Sequence, residues 1–549
     1  MSEDQKLDMN YRFSDAEIAS LTEYGEIRSH ETGEILFEIG DKNVDLCVLL
    51  DGRLNVYLNE NGEERRVGWL EPGQFTGDVS LITGARALIR GRMEQAGRVL
   101  HISHASLQRL LVERSGLSDA LVKAFVARRA WARASGTASV VLVGRAFDQH
   151  AFSIRDLLTK HAVPHHWVEA DADPRAQSIV ERLGLTLEDT PIVVAGADER
   201  LIRPSLAEVA AALGLDLLPD HATADVIVVG AGPAGLAASV YAASEGLSVV
   251  TLDSSAPGGQ AGTSSKIENY LGFPSGISGR ELADRASVQA QKFGARIAAP
   301  AQAERLEDCD GVYKLSLTDG REIEGRAIVV ASGADYRKLP IDNIETFRGR
   351  GIYYGATAME AQLCTGAEVA IVGAGNSAGQ GAVFLSENAK AVHVLYRRKD
   401  IRETMSEYLV RRLEETANIH LHPETEIDGF NGDSERLRSI TVKVGGAETK
   451  TLETPFVFLF IGAAPCAEWL PESVARDSRG FIKTGPAIEN IELVKAKWSL
   501  DRMPEIYETS WPRVYAVGDV RSGSVKRVAS GVGEGSVVVQ YIHRAISDV

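Results

Sequence analysis

The chain has 549 residues, 44% of them hydrophobic and 25% charged, with a formal net charge of −17. That length accommodates about three to five domains of ordinary size, and the composition is that of a globular protein. So acidic a chain gains nothing from phosphate-rich polymers, which removes nucleic acid from the expected partners.

No run of about 18 apolar residues occurs, so neither a spanning helix nor a membrane partner is expected. The N-terminal "MSEDQKLDMNYRF" lacks the apolar stretch of a secretory signal. The cysteines are Cys47, Cys309, Cys364 and Cys466, and none lies within three residues of another. That spacing excludes a local Cys-x-x-Cys and a cysteine-rich zinc site, so no metal is expected. A reducing cytoplasm suits so few cysteines.

Residues 10–105 form short alternating segments broken by Gly33, Gly40, Gly52, Gly62 and Gly73, an all-β texture. Within it "LCVLLDGRLNVYL" reads as two strands across an Asp51-Gly52 turn. Leu107, Leu110 and Leu111, then Leu117, Leu121 and Phe125, recur at helical spacing, and Gly136 ends the region. Arg128, Arg129 and Arg133 follow on that helix and are expected on a solvated or interdomain face. Over 138–215 β and α alternate. "SVVLVG" is a strand, "AFSIRDLLTKHA" an amphipathic helix and "PHHWVEADAD" a second strand. "TPIVVAG" is a third, entered through Thr190-Pro191, and "SLAEVAAALGL" a closing helix. From Asp225 strand–glycine–helix units recur, first as "DVIVVGAGPAGLAASVYAASEGLSVVTLD", then as "EVAIVGAGNSAGQGAVFLSENAKAVHVLYRR". This is a duplicated nucleotide-binding unit.

In the first unit Gly230-x-Gly232-x-x-Gly235, with Pro233 inside it, follows an apolar strand and opens an alanine-rich helix. The glycines allow a tight turn, close approach of a pyrophosphate and close helix–strand packing, and the helix N-terminus adds amide donors. Asp253 ends the next strand, where a carboxylate accepts from ribose hydroxyls. The second unit has Gly373-x-Gly375-x-x-Ala378, with Asn376 and Ser377 between, and its next strand ends in "YRRKDIR". Arg397, Arg398 and Arg402 there favour a 2′-phosphate, hence NADPH over NADH. Two different dinucleotide sites in one chain suit a flavoprotein that takes hydride from a nicotinamide. "AIVVASGADYRKLP", with Ala331-Ser332-Gly333, and "RVYAVGDV", with Gly518 and Asp519, resemble the later FAD segments of two-dinucleotide flavoproteins.

Together with "PGGQAGTSSKIENYLGFP" and "KRVASGVGEG", these motifs make Asp225 to the C-terminus similar to the low-molecular-weight thioredoxin reductases. The resemblance implies FAD and NADPH as cofactors, and an FAD domain in two pieces, 222–342 and 463–549, around an NAD(P)H domain at 343–462. It adds Gly259, Gln260, Asn269, Lys526, Arg527 and Val528 to the FAD contacts, and it implies a homodimer.

One place departs from that family. Where its redox-active Cys-x-x-Cys belongs, "YYGATAMEA" has Gly355 and Ala358, so no catalytic residue is assigned there. Disulfide exchange needs a thiolate. Cys364, nearby, reads as a small buried hydrophobe rather than a redox group. Residues 138–216 resemble a thioredoxin- or glutaredoxin-like fold, with Thr190-Pro191 at the place of its cis-proline and no cysteine before its first helix. Asp148, His150 and Ser153 stand there instead, as polar residues at a helix start, and the domain reads as a docking or structural element. Residues 10–135 resemble a cyclic-nucleotide-binding domain, a β-roll followed by helices. The resemblance puts Gly77, Asp78 and Arg86 in its phosphate cassette, one residue short of the usual spacing. A cyclic nucleotide, another ligand or a vestigial pocket are the alternatives.

The expected fold is therefore multidomain: an all-β roll with helices, a thioredoxin-like α/β unit, then two Rossmann-like domains for FAD and NADPH. The expected function is hydride transfer from NADPH to FAD and on to a small-molecule or protein acceptor without a dithiol. A redox- or nucleotide-responsive sensor is one alternative, and a true thioredoxin-disulfide reductase working through an unrecognised cysteine is another. Without a dithiol to expose, a smaller rotation between the two core domains is expected.

Overall fold

The computed structural model describes residues 8–60, 63–87, 89–134, 140–195, 199–215, 218, 221–264, 266–336, 339–356, 358–433 and 436–547. Gly62 and Gly136 lie outside the described residues.

The N-terminal part is a roll of two antiparallel sheets. One orders Glu26–His30, Gly97–Ile102 and Leu46–Leu49; the other orders Ile35–Phe37, Arg90–Gln95, Arg53–Glu60 and Glu63–Leu70. The strands on either side of Asp51-Gly52 exist, but they do not pair with each other. The chain leaves one sheet at that turn and enters the other: Leu46–Leu49 pairs with Gly97–Ile102, while Arg53–Glu60 pairs with Arg90–Gln95 and Glu63–Leu70. Helices His104–Glu113 and Ser115–Ala134 follow, with Leu107, Leu110, Leu111, Leu121 and Phe125 buried as their spacing requires.

The middle part is a four-stranded sheet ordered Glu199–Ile202, Ile192–Ala195, Val140–Gly144 and His165–Glu169, flanked by helices Gln149–Lys160, Arg175–Arg182 and Leu206–Leu213. The Thr190-Pro191 peptide is cis. Asp148 caps the first helix by accepting from the His150 amide at 3.0 Å, His150 Nε2 meets the Pro204 carbonyl at 2.8 Å, and Ser153 Oγ donates to Gln149 O. The three polar residues thus brace the helix start.

The C-terminal part is built on two main sheets, the first mixed, with Ala303–Cys309 and Val312–Leu317 antiparallel at one edge, and the second parallel. The first carries Arg296–Ala298, Val249–Leu252, His221–Val229 and Glu322–Val330, with Val514–Ala516 pairing the last of these from the far end of the chain. Its central strand is a continuous apolar run, Val226 to Val229, as a parallel sheet covered on both faces demands. Helices Pro233–Ser244 and Val528–Ser547 pack together on one face. The second sheet orders Ile352–Tyr353, Phe456–Leu459, Glu368–Val372, Ala391–Leu395 and Ile419–His422. A two-stranded ribbon, Ala334–Tyr336 with Ala463–Pro465, joins the two units where the chain crosses out and back.

The middle unit touches both. Phe152 packs against the core of the second unit, its ring 5.9 Å from that of Tyr353, and the Arg436 guanidinium sits 5.7 Å over Phe147. At the other end of helix Gln149–Lys160, His161 Nε2 meets the Ser255 carbonyl of the first unit at 3.1 Å. Among the described residues no helix is long and apolar enough to cross a membrane.

Candidate functional site

The strand His221–Val229 runs into Gly230, whose φ of 109° carries the chain into the turn before helix Pro233–Ser244. A Cβ on Gly235 would lie 1.8 Å from the Gly230 carbonyl oxygen, so helix and strand meet at a separation that only glycine permits. Pro233 occupies the first helical turn, where its missing N–H costs nothing. Across the turn Gly259 faces Gly232: a Cβ there would stand 3.0 Å from the Gly232 Cα. Two glycines back to back leave the bare backbone cradle that a pyrophosphate needs. Asp253 accepts from the amides of Ala231 at 3.0 Å, Ser255 at 3.0 Å and Ala256 at 3.1 Å. Burial nevertheless raises its pKa. The carboxylate therefore holds the glycine turn.

Of the other residues expected at FAD, several pack around this cradle. The Ala331 carbonyl backs Gly230 and the Ala331 Cβ backs Gly235, and the Gly333 carbonyl accepts from the Cys466 amide at 3.1 Å. Gln260 donates from its side chain to the Ala334 carbonyl, tying the cradle to the ribbon between the two units. Asn269 is exposed. Gly518 donates its amide to Glu534 Oε2 at 2.7 Å. Asp519 is pushed up by burial, with Lys526 beside it donating to its carbonyl. Arg527 and Val528 lead into the last helix. The buried Glu534–Arg521 pair, 2.5 Å apart, is a structural support that the motifs did not reveal. A glutamate inside the glycine-rich "GVGEGS" was its one signal.

In the second unit Gly373 turns at a φ of 148°, and the space that a Cβ on Gly375 would enter is open. Helix Asn376–Ser386 starts there. Asn376 Oδ1 accepts from the Ser406 amide at 2.8 Å, and Ser377 is exposed. Arg397, Arg398 and Arg402 are exposed, and each lies beside a glutamate: Arg397 beside Glu426 at 3.7 Å, Arg398 beside Glu403, Arg402 beside Glu414 at 2.7 Å. Such surface pairs are weak and can be exchanged for a phosphate.

Within the stretch that begins at Tyr353, Gly355 faces the first unit. A Cβ on Gly355 would stand 3.5 Å from Thr263 Oγ1, and Thr263 ends the turn that begins at Gly259. Ala358 opens the helix Ala358–Leu363. Cys364 is fully buried in the apolar core of the second unit, where burial and then Glu360 push its thiol far up. Burial also lifts Cys47 to about 12 and Cys466 to about 11. Cys309 is exposed, and none of the four is paired.

In the roll the expectation of a solvated or interdomain face fails for Arg128 and Arg129. Arg129 turns inward and pairs with Asp78 at 2.6 Å. Arg128 Nη1 donates to the carbonyls of Phe75 and Gly77, both at 2.9 Å, and its Nε to that of Met9 at 3.0 Å. The long helix brings its last turns back over the cassette, where a carboxylate and open carbonyls draw both cations in. Burial resists the charge on Asp78, yet Arg129 and Ser80 hold its pKa below the usual range. Burial pushes Arg128 down to about 10. Gly77 has a φ of 97°. Arg86 packs against Gly214 of the middle unit. The side chain of Arg133 lies outside the described residues. Among the described residues no group of three or more His, Cys, Asp or Glu could hold a metal ion.

Comparison with known proteins decides the family. The model of the pyridine nucleotide-disulphide oxidoreductases matches residues 224–535. The chain belongs to that family. A second model, the cyclic nucleotide-binding domain, matches residues 27–114. Thioredoxin reductase of Bacillus subtilis (strain 168) is 29% identical over 328 residues, 59% of this chain and 95% of its own. That of Mycoplasmopsis pulmonis is 31% identical over 314 residues, 57% of this chain and 94% of its own. Among solved structures, thioredoxin reductase of Lactococcus lactis in its FR conformation matches with a TM-score of 0.53 at 25% identity, covering 59% of this chain and all of that one. This pyridine nucleotide-disulphide oxidoreductase is accordingly an NAD(P)H-dependent flavoprotein whose cofactors are FAD and NADPH, fused to an N-terminal cyclic nucleotide-binding domain.

Proposed function

We propose that this oxidoreductase carries electrons from NADPH through FAD to an acceptor that reaches the flavin directly, with no protein dithiol between. The observation that supports this reading is the Gly355–Thr263 contact. It is where the second unit meets the turn that follows the FAD cradle, and it holds no sulfur. Cys364 is sealed in an apolar core and its thiol is held protonated, which denies it the thiolate that disulfide exchange requires. FAD, when bound, supplies a ring that takes hydride from a nicotinamide and yields electrons singly or in pairs. The chain provides the rest. Gly230, Gly232, Gly235 and Gly259 admit the pyrophosphate, Asp253 fixes the turn and meets the ribose, and the arginines after Leu395 meet the 2′-phosphate. Quinones, ferric chelates, a one-electron carrier protein and oxygen are the acceptor classes that need no dithiol.

A homodimer in the cytoplasm is part of this reading. Ile491 and Val494, three residues apart on helix Asn490–Lys495 and both exposed, offer an apolar face for a second copy. The test is anaerobic mixing of NADPH with the purified flavoprotein, followed by an acceptor screen. Loss of the flavin absorbance near 450 nm is expected, with turnover on quinone or ferric chelate and none on oxidised thioredoxin. Unchanged absorbance would sink the hydride reading; turnover on thioredoxin would sink the dithiol-free part.

A sensor reading keeps one observation in its favour. Helix Gly279–Lys292 contributes Val288 to the core of the roll, while its Arg280 donates to the Pro257 carbonyl beside the FAD cradle at 2.9 Å. A ligand in the roll would thus sit one helix away from the flavin.

A further inference from the structure

We infer that the cavity of the N-terminal roll is a binding site for a neutral, largely apolar ring compound and not for a cyclic nucleotide. The cavity lies in the roll with Pro164 of the middle unit on its border, and the inference stands apart from the electron-transfer reading. The cavity has a volume of about 280 Å³, and Phe37, Trp69, Phe75 and Trp131 border it together with aliphatic side chains such as Leu58 and Ile89. That volume lies near the lower end for small-molecule pockets, roughly 300–1,000 Å³, and suits two or three fused or linked rings.

The charged groups at its edge, Asp78 and Arg128, are already engaged. Asp78 takes the Arg129 guanidinium at 2.6 Å and the Ser80 amide and hydroxyl at 2.9 and 2.5 Å. A ribose hydroxyl would have to compete with a charged donor for that carboxylate. Arg128 gives its hydrogen bonds to three backbone carbonyls and lies 4.4 Å over the Phe75 ring. Turning it toward a phosphate would strip those carbonyls of their partner. Arg86, the residue that the cassette would aim at the phosphate, is not among the cavity's bordering residues, and a Cβ on Gly214 would stand 2.9 Å from its Cγ. An anion entering this space would lose its water without gaining an uncommitted cation, which is strongly unfavourable. An uncharged ring system loses nothing comparable and gains the contact of two tryptophans and two phenylalanines.

The test uses the full-length holoprotein and N-phenyl-1-naphthylamine, an uncharged three-ring fluorophore that brightens in apolar sites. Saturable binding near one probe per chain is expected, undisturbed by millimolar cyclic AMP or cyclic GMP. Two cavity-filling variants, Ala85→Phe and Val67→Phe, each placed on the border of the cavity, should weaken the probe at least tenfold. Either variant that retains its bound FAD and wild-type circular dichroism suffices. Displacement of the probe by micromolar cyclic nucleotide overturns the proposal. So does an absence of saturable binding, or full binding in a folded variant. Should neither variant fold, competition by cyclic nucleotide on the wild-type protein still decides the matter.

Discussion

The tightest place in the FAD cradle is Gly235, and Gly235→Ala is the sharpest perturbation of it. The added Cβ would lie 1.8 Å from the Gly230 carbonyl oxygen, 3.0 Å from the Gly230 carbonyl carbon and 3.2 Å from the Ala331 Cβ. All three neighbours are fixed: the first two are backbone in a turn at positive φ, and the third belongs to the segment following the buried strand Glu322–Val330. Relief requires the helix N-terminus to retreat by about 1 Å, which withdraws the amides that face the pyrophosphate. Overpacking of this kind costs about 1–3 kcal/mol. If that cost falls on the holo form, FAD binds roughly 5- to 150-fold more weakly. The assay is the 450 to 280 nm absorbance ratio after gel filtration, with FAD affinity from quenching of flavin fluorescence. Gly533→Ala is the control. It lies in helix Val528–Ser547 with nothing within 4 Å of the added Cβ, so FAD retention should be unchanged. A Gly235→Ala protein that keeps FAD at wild-type affinity would refute the cradle argument.

Removing Arg398 and Arg402 together should raise the KM for NADPH by roughly an order of magnitude and leave that for NADH unchanged, as steady-state kinetics with both coenzymes will show. Cys364→Ser puts a hydroxyl into an apolar core, so the melting temperature should fall, by about 1–3 kcal/mol of stability, while NADPH oxidation by the folded variant persists. His161 bears on pH. Burial, with Arg280 and Lys160 near, pushes it down to about 4, while its Nε2 stays bonded to Ser255. A histidine whose folded pKa is depressed contributes fully above its unfolded value and loses that contribution as pH falls from about 6.5 toward 4. Amide protection factors in helix Gln149–Lys160, corrected for the intrinsic exchange rate at each pH, should therefore fall over that window, and His161→Gln should flatten the response.

The parts legible in the sequence are those fixed by neighbours along the chain. The glycine turns, the apolar run Val226–Val229 and the alanine-rich helix after it announce themselves within one strand–turn–helix unit. The missing sulfur at Gly355 and Ala358 is equally local. What escaped the reading joins distant segments. Asp78 and Arg129 are 51 residues apart, and nothing near either names the other. The strands on either side of Asp51-Gly52 look like a hairpin because their own residues suit one, yet partners further along the chain pull them into separate sheets. The helix Gln149–Lys160 is amphipathic on its inner face, and that hides the second task of its outer residues, with Phe152 on one domain and the following His161 on the other. Gln260 was expected at FAD and its amide ties the cradle to the interdomain ribbon, a contact 74 residues away.

The central claim is that no dithiol stands between flavin and acceptor. The measurement that reaches it most directly is an anaerobic NADPH titration of the holoprotein, with thiols counted by dithiobis-nitrobenzoate in the unfolded protein before and after. About one equivalent of NADPH per flavin should bleach the absorbance, with the thiol count unchanged. Uptake of a second equivalent, with two new thiols, would contradict the account.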